Sequence, residues 1–81
     1  MISCEHHDYI EIACMHAYDL MLELKNTQSV SGTARDIVLD EARNECLVLR
    51  TESNDIPVML DDIAAVTVNT DNPHFKYVSF V

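Results

Sequence analysis

Between Ser29 and Asp40 the apolar side chains change step. Val30, Gly32 and Ala34 alternate along the chain, but past Arg35-Asp36 the alternating pair is Ile37 and Leu39. Successive side chains of a strand point to opposite faces, so a slip of one residue would turn a buried set outward. One strand keeps both sets on the same face only by carrying an extra residue, which predicts a bulge or sharp bend near Arg35-Asp36. Gly32, the single glycine of the chain, falls in the same strand. A glycine inside a strand marks a bend or a close backbone approach. The chain is thus predicted to contain one long, strongly bent strand, and the other elements have to fit around it.

Those elements read as short strands. From Asp19 to Lys25, Leu20, Leu22 and Leu24 alternate with Met21, Glu23 and Lys25, the period of a half-buried strand. Leu, Met, Glu and Lys are also good helix formers. The turn Asn26-Thr27-Gln28 decides for a strand and a hairpin. After the bent strand, Asp40 to Glu45 is a charged loop. Cys46 to Thr51 is a continuous strand, covered on both faces over its middle. Glu52 to Asp55 is a tight turn. Ile56 to Leu60 contains Pro57, which lacks an N–H and so points to an edge or a ladder gap. Asp61-Asp62 is a brief turn, Ile63 to Val68 a fifth strand, Asn69 to Pro73 a loop, and His74 to Val81 a last strand.

Ahead of the strands, Ile2 to Glu5 reads as an extended lead-in and Cys4 to Ala17 as one helix, fading near Ala17 or Tyr18. At 100° per residue, Ile10, Ala13, Cys14 and Ala17 share one narrow apolar face suited to a sheet. Asp8, Glu11, Ile12 and Met15 lie roughly opposite, with Asp8 early enough to favour the positive end of the helix dipole. Two readings of this second face stay open: Ile12 and Met15 tuck under the chain termini, or the face docks onto a partner. The 81 residues make a single domain, 1–81, and 48% hydrophobic content suits a globular core. The element order fits a mainly β fold, a small strongly bent Sm-like β-barrel with an N-terminal helix. An SH3-like or OB-type barrel fits the pattern nearly as well.

Charge and composition narrow the chemistry. Fourteen acidic residues face five basic ones, for a net charge of −9. Such a chain repels phosphate backbones, and Lys25, Arg35, Arg43, Arg50 and Lys76 are scattered, so no direct nucleic-acid binding is expected. A basic protein partner is favoured instead. Cys4, His6, His7, Cys14 and His16 fall close together, yet no CxxC or HxxxH knuckle exists, and neither metal nor cofactor is expected. A His/Cys metal sensor is the third reading, behind the two given below. Asp61-Asp62 and Glu41/Glu45 are poorly placed to share a substrate, the thiols lie in an acidic chain, and one glycine makes no phosphate loop, so the chain is not expected to be an enzyme. The aromatic residues Tyr9, Tyr18, Phe75, Tyr77 and Phe80 are few, and the three in the last strand suit core packing. Met1 to Glu5 lacks a signal pattern, no apolar run is long enough to span a membrane, and the three cysteines, Cys4, Cys14 and Cys46, need no partner in a reducing compartment. A cytoplasmic protein with no membrane partner is expected.

The stretch Cys4-Glu5-His6-His7-Asp8-Tyr9-Ile10-Glu11-Ile12-Ala13-Cys14 resembles the N-terminal signature of the Rho-binding antiterminator family, called Rof or YaeO-like. Cys4, Asp8, Ile10, Glu11, Ala13 and Cys14 match its pattern. The Leu20 to Lys25 strand and the Ala34 to Val38 segment are also similar. The resemblance implies an inhibitor of Rho-dependent transcription termination that binds the RNA-binding N-terminal domain of Rho and blocks its primary RNA-binding site. It places the contact at His7, Asp8 and Glu11 of the helix and at Arg43 and Asn44 of the loop. The acidic and apolar face read from the helix period adds Ile12 and Met15. The alternative is an Sm-like RNA-binding module.

Overall fold

The computed structural model describes residues 4–81. The elements run α1 (Cys4–Met15), β1 (Asp19–Leu24), β2 (Ser29–Leu39), β3 (Glu45–Arg50), β4 (Asp55–Met59), a 3-10 turn (Leu60–Asp62), β5 (Ile63–Val68) and β6 (Tyr77–Ser79). The fold is mainly β: one N-terminal helix and a six-stranded antiparallel sheet in the order β4-β3-β2-β1-β5-β6. The expected closed barrel is not drawn by these ladders. Among the described residues β4 and β6 stand as the two edges, and no strand pairing joins them.

The bent strand behaves as its pattern requires. Ala34 pairs with Leu49 and Asp36 with Val48, leaving Arg35 as the extra residue of a bulge. The first part of β2, Ser29 to Thr33, pairs with β1, and from Thr33 onward it pairs with β3. A Cβ at Gly32 would stand 2.8 Å from the carbonyl oxygen of Arg50, closer than a carbon there is tolerated, so β2 and β3 approach only because glycine sits at this point. Pro57 lies in β4, an edge strand, and is exposed.

Leu20, Leu22, Leu47, Leu49, Ile63 and Val66 form the heart of the core, and α1 adds Ile10 and Ala13. Each fully buried Leu or Ile contributes roughly 1.5–3 kcal/mol of transfer free energy. Two members of the expected apolar helix face behave differently. Cys14 is half-buried, and Ala17 is exposed because the helix has already ended at Met15. Ala17 takes a left-handed backbone, φ 53°. The N–H of Tyr18 donates to the carbonyl of Ala13 (3.0 Å) and that of Ala17 to Cys14 (3.3 Å). This double closure satisfies two carbonyls of the last turn, with alanine where glycine is usual. Tyr18 is thereby carried back into the core beside Ala13.

Both ends of the chain depart from expectation. Cys4 and Glu5 belong to α1 rather than to an extended lead-in, and Ile2 and Ser3 lie outside the described residues. The last strand is only Tyr77–Ser79, because Asn72 folds the segment before it. Its Oδ1 accepts from the N–H groups of His74 and Phe75, and its Nδ2 donates to the carbonyls of Thr70 and Phe75. An asparagine engaged in this way makes a local turn that competes with a sheet ladder. Phe75 and Phe80 pack against the core as expected, whereas Tyr77 is exposed. No helix among the described residues is long and apolar enough to cross a membrane.

Candidate functional site

The second half of β2, beyond the bulge, runs under one flank of α1 and leaves an open groove of about 490 Å³. His7, Glu11, Cys14 and Met15 line it from α1, Arg35, Asp36 and Ile37 from β2, and Glu45 from β3. The helix period places His7 and Glu11 one turn apart, and the imidazole Nδ1 lies 3.0 Å from Glu11 Oε1. Its Nε2 lies 2.6 Å from Glu45 Oε2. The hydrogen bond to Glu45 raises the pKa of His7 above its ordinary 6.5. Partial burial works against that rise, and the negative charges of Glu45, Glu11 and Asp8 add to it. A neutral imidazole has one N–H, so contact with a carboxylate at both nitrogens favours the imidazolium.

The remaining sequence-predicted residues divide. Asp8 is exposed on the helix next to His7. Ile12 is partly buried against the core, so it does not share the exposure of Met15, which is 76% exposed. In the β2–β3 hairpin, Asn44 is tied across the loop: its N–H and Nδ2 donate to the two carboxylate oxygens of Asp40, at 2.8 and 3.3 Å. The Asn44 backbone contact holds the carboxyl of Asp40 below its usual range. Arg43 sits at the tip of this hairpin, exposed, with φ 65°. The hairpin and the helix surface are neighbours because Glu45, the residue after Asn44, reaches His7. Sequence reasoning missed Glu45, Arg35 and Asp36 as parts of this surface. The one signal for Glu45 was its place beside Asn44.

The thiol of Cys14 faces the same groove and is chemically quiet. Burial, then the charges of Asp36 and Glu11, push its pKa up to about 11. Burial also raises the pKa of Cys46. Such thiols are not nucleophiles near neutral pH. The other three histidines face rings. His6 stacks on Phe80 at 4.4 Å, and His16 stacks on Tyr18 and on His74.

Together, a helix laid on an open antiparallel sheet and an acidic, partly apolar surface shared with a hairpin define a small β domain with a surface suited to recognition. The chain belongs to the family described as ROF, modulators of Rho-dependent transcription termination, whose model matches residues 1–80. The resemblance carried by Cys4 to Cys14 is thereby borne out. A similar solved structure is YaeO bound to magnesium from Vibrio cholerae O395. It is 28% identical, covering 91% of this chain and 96% of that one, with a TM-score of 0.88. No curated protein matches the chain. Magnesium favours a near-octahedral shell of hard oxygen ligands. Among the described residues the one compact donor group is His7, Asp8 and Glu11, within 4.8 Å of one another. One of its three donors is an imidazole, whose nitrogens already face Glu11 and Glu45, so the group is not the all-oxygen shell that magnesium favours.

Proposed function

We propose that the protein inhibits Rho-dependent termination by docking on the RNA-binding N-terminal domain of Rho and covering its primary RNA-binding site. The observation that carries this reading is the meeting of α1 and the β2–β3 hairpin in one acidic surface with an apolar member. Asp8 and Glu11 supply charge there, and Met15 supplies an exposed apolar side chain. His7, Ile12 and Asn44 hold the surface in shape, and Arg43 stands at the tip of the hairpin. A site that binds RNA is basic, and a chain of net charge −9 approaches it favourably. The family is one of regulatory modulators, and this reading requires neither catalysis nor a cofactor. The protein would act as one domain, 1–81, in the cytoplasm. A bulge bends its strand, so the extra residue at Arg35 is in keeping with the bent Sm-like plan.

The test is Asp8→Lys. Asp8 is exposed and, with α1 starting at Cys4, lies in the second turn, where the helix dipole has largely faded, so the melting temperature should change little. Affinity for Rho should fall about tenfold or more, because a like charge would then face a basic site. Suppression of termination in vitro should fall with it. Raising the salt should weaken the wild-type complex, as exposed charges are screened beyond about 10 Å at 0.1 M. A folded Asp8→Lys protein that suppresses termination at wild-type strength would sink the surface assignment. Wild-type protein that binds Rho without displacing single-stranded RNA would sink the competitive mechanism. Direct binding of U-rich RNA by the protein itself would favour the RNA-binding module instead.

A further inference from the structure

His7 joins two elements that are far apart in sequence. Glu11 lies one turn along the same helix, whereas Glu45 opens β3, 38 residues away. The groups around the imidazole are Asp8 and Glu11 on α1, Glu45 on β3, and Arg35 and Asp36 on β2, which line the same groove. Carboxylates outnumber the single arginine, so the surroundings favour a proton on His7. With that proton both ring nitrogens donate. Without it one nitrogen turns a lone pair toward a carboxylate, and one of the two contacts has to break. The apolar packing of Ile10 and Ala13 does not depend on this event, so the helix stays on the sheet while its charged flank loosens.

We propose that His7 is a proton-operated latch that pins the acidic flank of α1 to the β2–β3 hairpin and releases it when the proton leaves. Its regulatory meaning rests on the reading of this surface as the Rho-docking surface. A latched surface presents Asp8, Glu11 and the hairpin in a fixed relation and needs little ordering on binding. An unlatched surface has lost one positive charge, which favours encounter with a basic site, but it has to be ordered in the complex. The latch therefore acts mainly on dissociation, which should become faster as pH rises.

Nitrogen-15 spectra of the His7 ring, α1 amide shifts and Rho dissociation rates should be followed together from about pH 6 to about pH 9. In the wild type the ring should titrate at a higher pH than a free histidine, the amides of α1 near His7 and Glu11 should move with it, and dissociation should quicken by about threefold. In Glu45→Gln the titration should shift down toward that of a free histidine. In His7→Gln the dissociation rate should no longer change with pH. Melting curves confirm that each variant is folded; both sites lie at the surface. A wild-type ring that titrates like a free histidine, or α1 amides that ignore its titration, would overturn the latch. A ring and helix that titrate together in a protein that binds no Rho at any pH would uphold the latch and overturn the docking surface.

Discussion

α1 is held to the sheet in two different ways. On one side Ile10 and Ala13 are completely buried, packed among the leucines of β1 and β3. On the other, His7 reaches Glu45 across water-exposed ground, its side chain 27% exposed and that of Glu45 48%. The first attachment is hydrophobic, non-directional and indifferent to protonation. The second is directional and depends on one proton. Exposed ion pairs contribute about 0–1 kcal/mol, against roughly 1.5–3 kcal/mol for each large buried side chain. Stability therefore resides in the buried face and adjustability in the charged flank. The proposed docking surface is thus carried by a helix whose position does not depend on it.

Removing the buried attachment should have the largest effect. Ile10→Ala should cost about 2–5 kcal/mol, read as a fall in the urea midpoint, because it leaves a cavity where no atom of the side chain reaches water. Ala13→Asp should cost about 1–3 kcal/mol by burying a carboxyl without a partner. An unchanged melting temperature for Ala13→Asp would mean that the packing face is drawn wrongly. If either substitution cost less than the loss of the His7–Glu45 contact, the division of labour between the two attachments would be reversed.

The buried attachment was also the legible one. The period of α1 singled out Ile10 and Ala13, the parity change in β2 located the bulge at Arg35, and Pro57 marked an edge strand. In each case a local rule and the tertiary packing ask for the same thing. The charged flank was read only in part. Asp8 and Glu11 followed from helix geometry, but the Glu45 contact joins residues that no local period connects. Ile12 was placed with Met15, although the helix lies low enough on the sheet for Ile12 to touch the core. Closure of the sheet was also beyond pattern reasoning, since it depends on how far strand twist accumulates and which edges finally meet. The end of α1 was overrun because Ala17 is a strong helix former and nothing in its identity announces a left-handed conformation.

That helix end offers a smaller test, because a change there tightens α1 without touching either attachment. A left-handed backbone costs an L-residue roughly 1–2 kcal/mol relative to glycine, although glycine also loses more entropy on folding. Ala17→Gly should therefore stabilise the protein by about 1 kcal/mol, raising the melting temperature by some 4–8 °C for a domain of this size. Ala17 is exposed, so no packing is lost. The apolar attachment should become harder to break, while the titration of His7 should stay where it was. A shift in that titration would show that the two attachments are coupled through the helix backbone.

The smallest expected effect is the contribution of the charged flank to stability, and its sign with pH follows from the direction of the His7 shift. Folding raises the pKa of His7 above 6.5, so the folded protein holds this proton more tightly than the unfolded chain does. Stability from such a group is fully present below the unfolded value and is lost as pH rises through the folded one. Because all three partners are partly exposed, the contribution should stay below about 1 kcal/mol. His7→Gln should lower the melting temperature by a few degrees at about pH 6 and by almost nothing at about pH 9, with the two curves converging over the range in which the wild-type ring titrates. Ile10→Ala should show no such convergence, since a methylene in the core has nothing to titrate. A His7→Gln penalty that persisted undiminished at pH 9 would mean that the imidazole supports α1 by its shape alone, and the contrast between a fixed and an adjustable attachment would fail.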